Sequence, residues 1–183
     1  KFFKVVLGVF ILANLGMAEY VKRNNEIYYK YSKEDDIGIK VKNVDLNTFK
    51  ILNDRYAKDD KRVYFSGNRS FEDVDSKTFE VLPNYYSKDK NNVYDGNESI
   101  GRGIKDPKTF EFLPNGIIYG TLYGKDKYNV YYIENKMINC FDTYYSIYEV
   151  KGINKDKAEV LNDWFIKDDK NIYFKGKILE GVD

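Results

Sequence analysis

Histidine is absent from the sequence, and cysteine occurs only once, at Cys140. The absence of histidine excludes Ser-His-Asp and Cys-His catalysis, together with metal sites that use histidine ligands. A single cysteine excludes an intramolecular disulfide and a multi-cysteine zinc or iron–sulfur site. Most free cysteines are small buried apolar residues, and we expect this of Cys140, with an intermolecular disulfide as the alternative.

A strong charge of either sign is also missing, because 30 lysine and arginine residues are balanced by 29 aspartate and glutamate residues. No long basic stretch is present, and the sequence pI of about 7.8 is below that of most nucleic-acid-binding domains. Aromatic residues are abundant instead, with 18 Tyr and 12 Phe against only 3 Pro. Tyrosine suits a half-buried strand, because its ring packs while its hydroxyl stays hydrated. The composition predicts a folded, strand-rich protein without nucleic acid among its partners.

The first 18 residues have the layout of a secretory signal peptide. Lys1 and Lys4 open the chain, an apolar run extends over 5–15, and residues 16–18 form a small-x-small cleavage site. The apolar run is too short to span a bilayer comfortably, and no cysteine follows it as in a lipoprotein. We therefore predict cleavage after Ala18 and no stable membrane span afterwards. The alternatives are an uncleaved anchor and a buried helix.

Residues 19–183 are then predicted to be one repeat domain that is exported to the periplasm or the cell surface. One pattern recurs four times in it: Lys-Asp, three polar or turn-forming residues, a β-branched residue and Tyr. The copies are Lys58–Tyr64, Lys88–Tyr94, Lys125–Tyr131 and Lys167–Tyr173. The Asp and Asn residues favour a turn, and the β-branched residue with Tyr favours a return strand. Each copy therefore predicts a β-hairpin, and a second turn with glycine follows three of them.

A second pattern alternates with the first and predicts one helical turn that leads into a strand. Its copies are Asp45–Leu52, Asp75–Leu82, Asp106–Leu113 and a weaker one at Asn154–Leu161. Lys58 and Lys88 are 30 positions apart, as are Phe49 and Phe79, and such a period indicates a repeat architecture. We predict an all-β fold with short helical turns, built from antiparallel β-hairpin or meander repeats. The sequence leaves open whether the array is solenoid-like or propeller-like.

The unit Lys88–Tyr94, followed by Asp106–Leu113, resembles the DKNYY family of bacterial repeat proteins, which is named after this motif. The resemblance extends from about Glu26 to the end of the chain and is weakest at Met137–Val150. Asp95 stands where other copies carry a second aromatic residue after the Tyr. The family occurs largely in exported proteins of Gram-negative bacteria and has no established biochemical activity. The resemblance therefore implies export and supplies no catalytic residues.

Residues that depart from the repeat are the best candidates for function. In repeat proteins, insertions map to loops on one face, which is often the binding face. Extra residues fall around 116–123 and 139–148, and the second insertion contains the candidate partner-binding residues Phe141, Tyr144, Tyr145 and Tyr148. The tyrosines inside the repeat occupy equivalent positions, so we expect them to pack in the core. They are Tyr64, Tyr94, Tyr131 and Tyr173.

Catalytic and metal-binding alternatives have weaker support in the sequence. The Asp-rich turns offer oxygen ligands for Ca²⁺, but each contains a Lys and lacks the bend-forming Gly of a calcium loop. Glu72, Asp73 and Asp75 are acidic neighbours in a chain rich in charges, and Gly101-Arg102-Gly103 lacks the context of a phosphate loop. We predict neither a cofactor, nor a metal site, nor enzymatic activity.

We predict a structural or interaction module of the bacterial cell envelope, which binds a protein or an envelope component through its inserted residues. The alternative is a carbohydrate-binding or carbohydrate-active protein that uses Tyr and Trp faces. That alternative calls for Trp164 and Tyr144–Tyr148 to meet in one exposed groove. Trp164 is aligned with Tyr56 and Tyr86 here, and on that alignment we expect it to pack in the core.

Overall fold

The computed structural model of the protein describes residues 18–69, 73–118, 121–137 and 143–181. These residues form an all-β structure, as the repeats predict. All strands in these ranges belong to five small antiparallel sheets, numbered first to fifth along the chain, and neighbours in a sheet are consecutive in sequence. The predicted signal peptide, except Ala18, lies outside the described residues, as do Cys140 and Phe141.

The sheets differ in strand length. The first sheet contains β1 Glu19–Arg23, β2 Glu26–Lys30 and β3 Ile39–Lys40. The second contains β4 Lys50–Ile51, β5 Tyr56–Lys58, β6 Val63–Phe65 and β7 Asn68–Arg69. The third contains β8 Glu80–Val81, β9 Tyr86–Lys88, β10 Val93–Asp95 and β11 Glu98–Ser99. The fourth contains β12 Glu111–Ile118, β13 Thr121–Lys125, β14 Val130–Met137 and β15 Thr143–Glu149. The fifth contains β16 Glu159–Val160, β17 Phe165–Lys167, β18 Ile172–Phe174 and β19 Lys177–Ile178.

The third sheet shows how the repeat sequence specifies its hairpins. β9 and β10 are joined by the Asp-rich turn, in which Asp89 N donates to Asn92 O at 2.9 Å. β10 and β11 are joined by a tight turn in which Gly96 has a φ of 56°, a conformation that side chains with a Cβ rarely adopt. The predicted β-hairpin and the second turn with glycine that follows it are confirmed.

The predicted helical turns are also present, in two forms. Pro107–Thr109 forms a 3-10 helix, with Pro at its start and no side-chain capping bond from Asp106. In the second and third repeats the same positions form a single turn, closed by Thr48 N to Asp45 O and by Thr78 N to Asp75 O, both at 3.2 Å. A second 3-10 helix, which the sequence pattern did not predict, lies at Pro83–Tyr85.

The core consists of four clusters of buried residues, and each cluster is shared by two sheets that are consecutive in the chain. The first and second sheets share Tyr20, Ile27, Tyr29, Val41, Ala57 and Tyr64. The second and third share Tyr56, Val63, Phe79 and Tyr94. The third and fourth share Tyr86, Val93, Ile100, Ile104, Phe110, Leu122, Tyr131 and Ile133. The fourth and fifth share Leu113, Tyr123, Val130, Tyr132, Val150, Val160, Ile166 and Tyr173.

The fourth sheet corrects one prediction. The insertion that contains Tyr144, Tyr145 and Tyr148 was predicted to be a loop, but these residues lie on β15, a seven-residue strand at the edge of the sheet. Tyr, Thr and Ile favour strands, and the segment pairs with β14 in an unbroken register. The insertion therefore lengthens the sheet.

Candidate functional site

A buried aspartate organises each of the four Lys-Asp turns. At Asp126, one carboxylate oxygen accepts the backbone N–H groups of Tyr128 and Asn129, at 2.7 and 2.8 Å. The other oxygen accepts the Tyr131 hydroxyl and the backbone N–H of Asp106, both at 2.8 Å. Asp106 begins the helical-turn half of the repeat, so one carboxylate holds the two halves together.

The other three turns repeat this arrangement. The tyrosine five residues after each aspartate donates its hydroxyl to it, at 2.6 Å for Tyr64, 3.0 Å for Tyr94 and 3.4 Å for Tyr173. All four repeat tyrosines are at most 1% exposed, which confirms that they pack in the core. Their hydroxyls bond to an aspartate of the same turn. The fixed spacing of Asp and Tyr in four copies was the signal for this bond.

Hydrogen bonds lower the pKa values of three of these carboxyls. Burial raises the pKa of Asp126, but bonds from Asn129 N, the Tyr131 hydroxyl and Tyr128 N lower it, and the result is a pKa below the ordinary value. The pKa values of Asp59 and Asp168 are lowered by the same kinds of bond against the same effect of burial. These three carboxylates are therefore charged at neutral pH, and their oxygens already accept protein donors.

Lysines of the Lys-Asp pairs connect one sheet to the next. Lys58 Nζ donates to the carbonyl oxygens of Ser76 and Phe79, at 2.9 and 3.2 Å. Lys88 Nζ donates in the same way to Lys108 and Phe110, at 3.0 and 2.8 Å. Sequence reasoning missed this role, because the acceptors are backbone atoms one repeat further along the chain.

The candidate partner-binding residues have different environments. Phe141 lies outside the described residues. Tyr144 and Tyr148 are 61% and 45% exposed, and Tyr148 packs against the buried ring of Tyr132 with centroids 6.0 Å apart. Tyr145 is half-buried and donates its hydroxyl to Asp95 of the third sheet. Asp95, which departs from the aromatic pattern, thus pairs with a tyrosine of the insertion.

An open groove of about 590 Å³ lies beside these tyrosines. One wall is formed by the consecutive residues Tyr144–Tyr148 of β15, and the other by Glu98–Ile100 and Arg102. β15 and β11 are both edge strands of their sheets. Alternate residues of a strand point to opposite faces, so a wall made of five consecutive residues runs along the edge of the sheet.

Trp164 does not line this groove with the tyrosines. Aligning the Lys-Asp pairs places Phe165 at the position of Tyr56, and Trp164 one residue earlier, at that of Arg55. Trp164 is 52% exposed, so the expectation that it packs in the core was wrong. That expectation rested on an alignment shifted by one residue.

The acidic residues do not form a metal-binding cluster in the described ranges. Asp75 accepts backbone N–H groups from Lys77 and Thr78 and is paired with Lys90, while Glu72 lies outside those ranges. In 18–69, 73–118, 121–137 and 143–181, no group of three or more acidic or cysteine side chains could hold a metal ion. The helices of these ranges are single turns, far too short to cross a membrane.

Only one of the comparisons with known proteins found a match. No curated protein and no solved structure matches the chain. The sequence model of the DKNYY family matches residues 20–70 and 56–183, which together include all residues of the described sheets except Glu19. The match and the four repeated turns agree, and the chain belongs to the DKNYY family.

Proposed function

We propose that the protein is an exported structural and interaction module of the bacterial cell envelope, which binds a partner protein in the groove between β11 and β15. The observation that carries the proposal is the pair of exposed rings, Tyr144 and Tyr148, on a groove wall outside the repeat. Tyrosine is enriched at protein interfaces because its large ring packs while its hydroxyl bonds to polar groups.

Export to the periplasm or the cell surface is the second part of the proposal. It is supported by the layout of residues 1–18 in the sequence and by the family resemblance. The low cysteine content is compatible with a fold that is stabilised by contacts between sheets, without disulfides. Expression with its native N-terminus in a Gram-negative host, followed by fractionation and N-terminal sequencing, tests it: mature protein outside the cytoplasm that begins at Glu19 is expected.

We also propose that the five sheets form an open, solenoid-like array. The four core clusters support this, since each joins consecutive sheets, and Phe174 in the last sheet is 38% exposed. Packed sheets lie about 10 Å apart, so five of them give a body about 50 Å long. Small-angle X-ray scattering would measure this elongation, and a ring-shaped particle would support a propeller.

Binding is tested with the double variant Tyr144→Ser/Tyr148→Ser. Wild-type protein is immobilised, solubilised envelope proteins are passed over it, and retained proteins are quantified by mass spectrometry. We expect the double variant to lose specific partners, because it removes both exposed rings of the groove wall. Tyr31→Ser is the matched control, since Tyr31 is 53% exposed but directly follows β2 of the first sheet and does not line the groove. Equal retention by wild type and the double variant would contradict the proposal.

Carbohydrate binding remains the alternative to protein binding. Its sequence criterion was a groove shared by Trp164 and the tyrosines, and the described residues of the groove do not include Trp164. A glycan array separates the two functions. The proposal predicts no glycan whose binding depends on Tyr144 and Tyr148, whereas such a glycan would favour the alternative.

A further inference from the structure

The outer edge of β15 carries backbone groups that are not used within the described sheets. In an antiparallel pair, residues that exchange N–H···O bonds alternate with residues that exchange none. Val150 N donates to Val130 O at 2.9 Å, which places these two opposed residues in a bonded pair. Because the register of β14 and β15 is unbroken, Tyr144, Ser146 and Tyr148 also bond to β14.

The residues between them therefore point their backbone groups the other way. The N–H and C=O groups of Tyr145 and Ile147 are directed away from β14, towards the groove. No hydrogen bond joins them to another described residue. Buried backbone groups are nearly always paired, and an exposed strand edge is a template for another strand.

The opposite wall also carries backbone groups that point away from their own sheet. Ile100 N donates to Val93 O at 2.9 Å, so by the same alternation Ser99 directs its backbone groups away from β10. Two edges that have no neighbouring strand among the described residues thus border one groove, with Ile100 and Ile147 as its apolar residues.

We propose that the groove binds an extended segment of a partner polypeptide, which adds to the fourth sheet as a strand beside β15. This inference rests on the proposed function and names the chemistry of its partner. Main-chain bonds to Tyr145 and Ile147 provide the affinity, as in other cases of strand addition. Alternate side chains of the segment contact the exposed rings of Tyr144 and Tyr148, so apolar or aromatic residues are favoured at every second position.

Charge contributes little to this recognition. Glu98 and Arg102 carry opposite charges on the same wall, and neither forms an ion pair within the described residues. Surface charges are screened within about 8 Å at physiological ionic strength. Binding is therefore expected to change less than about twofold between low and physiological salt, unlike binding to a charged patch.

The test uses the full chain and a phage-displayed library of random dodecapeptides, selected on wild type after depletion on Tyr144→Ser/Tyr148→Ser. Selected peptides are synthesised, and their affinities are measured by calorimetry for Ile147→Pro and Ile147→Ala. Both variants shorten the side chain, but only proline removes the N–H that faces the groove, and edge strands tolerate proline at such a position. Circular dichroism first establishes that both variants keep the wild-type fold.

Strand addition predicts that Ile147→Pro weakens binding at least about tenfold more than Ile147→Ala. It also predicts that peptide protects the amides of Tyr145 and Ile147 from hydrogen exchange in wild type. Peptides that need the tyrosines but bind both variants equally, without this protection, would overturn strand addition and leave the proposed function standing. Failure to select any tyrosine-dependent peptide would count against both.

A second copy of the chain is the competing occupant of the edge. If a second copy bound there, sedimentation would show dimers. The amides of Tyr145 and Ile147 would then become protected with rising protein concentration in the absence of peptide. That result would overturn the assignment of a partner polypeptide.

Discussion

The third and fourth sheets share a turn and differ in what surrounds it. Both place a buried aspartate, Asp89 or Asp126, where it accepts turn N–H groups and a tyrosine hydroxyl. The strands of the third sheet are two or three residues long, whereas β12 and β14 have eight residues and β15 has seven. The fourth sheet therefore extends beyond the part that the turn specifies, and its extension carries the exposed tyrosines.

This difference separates residues that maintain the fold from residues that are available for binding. A contact that every repeat needs must recur in every repeat, so the recurring Asp, Tyr and Lys are explained by packing. Residues in the extension have no equivalents, and two of them are exposed. The shared turn and the extension are therefore expected to respond differently to pH and to substitution.

Acidification is expected to have the largest effect, because it acts on three of the four Lys-Asp turns at once. The pKa values of Asp59, Asp126 and Asp168 in the folded protein are lowered, whereas the unfolded chain titrates near about 3.9. Their contribution to stability is therefore present above that pH and is lost as pH falls through the lower, folded pKa values. Thermal unfolding followed by circular dichroism should show a constant Tm at pH 6–8 and a steep fall below about pH 4.

Asp126→Asn supplies the control for acidification. Asparagine keeps the shape of the side chain but does not titrate, so the variant should start with a lower Tm and show a shallower acid transition. A wild-type Tm that stays constant down to about pH 2 would show that the turn carboxylates are not coupled to folding.

Removal of one turn carboxylate should have the next largest effect. Asp89→Ala and Asp126→Ala each leave several donors unpaired at a buried site, and we expect a loss of about 3 kcal/mol in the free energy of unfolding. Urea denaturation measures it. Asp60→Ala is the control, because Asp60 is exposed and adjacent to the buried Asp59, and a change within about 0.5 kcal/mol is expected. If the losses in the free energy of unfolding differed strongly between Asp89→Ala and Asp126→Ala, the turn would not contribute equally to stability in the two sheets.

The parts of this fold that could be predicted from the sequence are local and repeated. The Asp-rich turns, the hairpins beside them and the burial of the repeat tyrosines follow from residue types at fixed spacing. Contacts between repeats were not reached, because Lys58 and Lys88 bond to backbone carbonyls that any sequence would supply. The length of β14 and β15 was missed because the insertion was expected to be a loop, although the Tyr, Thr and Ile residues of β15 favour a strand.

For the candidate site, only the tyrosines of one wall could be predicted from the sequence. It singled out Tyr144, Tyr145 and Tyr148 because they lie outside the repeat. It did not reach the second wall at Glu98–Arg102, because those residues are more than forty positions away and belong to another sheet. Only the packing of the third sheet on the fourth brings the two segments together.

Gly124 tests a close contact that the third sheet lacks. A Cβ at this position would lie 2.6 Å from Cε2 of Phe110 and 3.0 Å from the carbonyl oxygen of Glu111. Gly124→Ala should therefore reduce the free energy of unfolding by about 2 kcal/mol through overpacking. Ser87 is the equivalent residue of the third sheet, and Ser87→Ala should cost at most about 1 kcal/mol through the loss of one bond to the Tyr56 hydroxyl. Equal losses would show that the two sheets pack alike at this point.

The smallest effect is expected at the residues that the proposal assigns to binding. Tyr144 is 61% exposed, and Tyr144→Ser should change the free energy of unfolding by no more than about 0.5 kcal/mol. Tyr132, on the neighbouring strand and 1% exposed, should lose about 3 kcal/mol or more on substitution by Ser. Urea denaturation compares these two tyrosines of one sheet. A large loss of stability in Tyr144→Ser would mean that the extension stabilises the fold as the repeats do. Residues that stabilise the fold could then not be distinguished from residues that bind a partner within the fourth sheet.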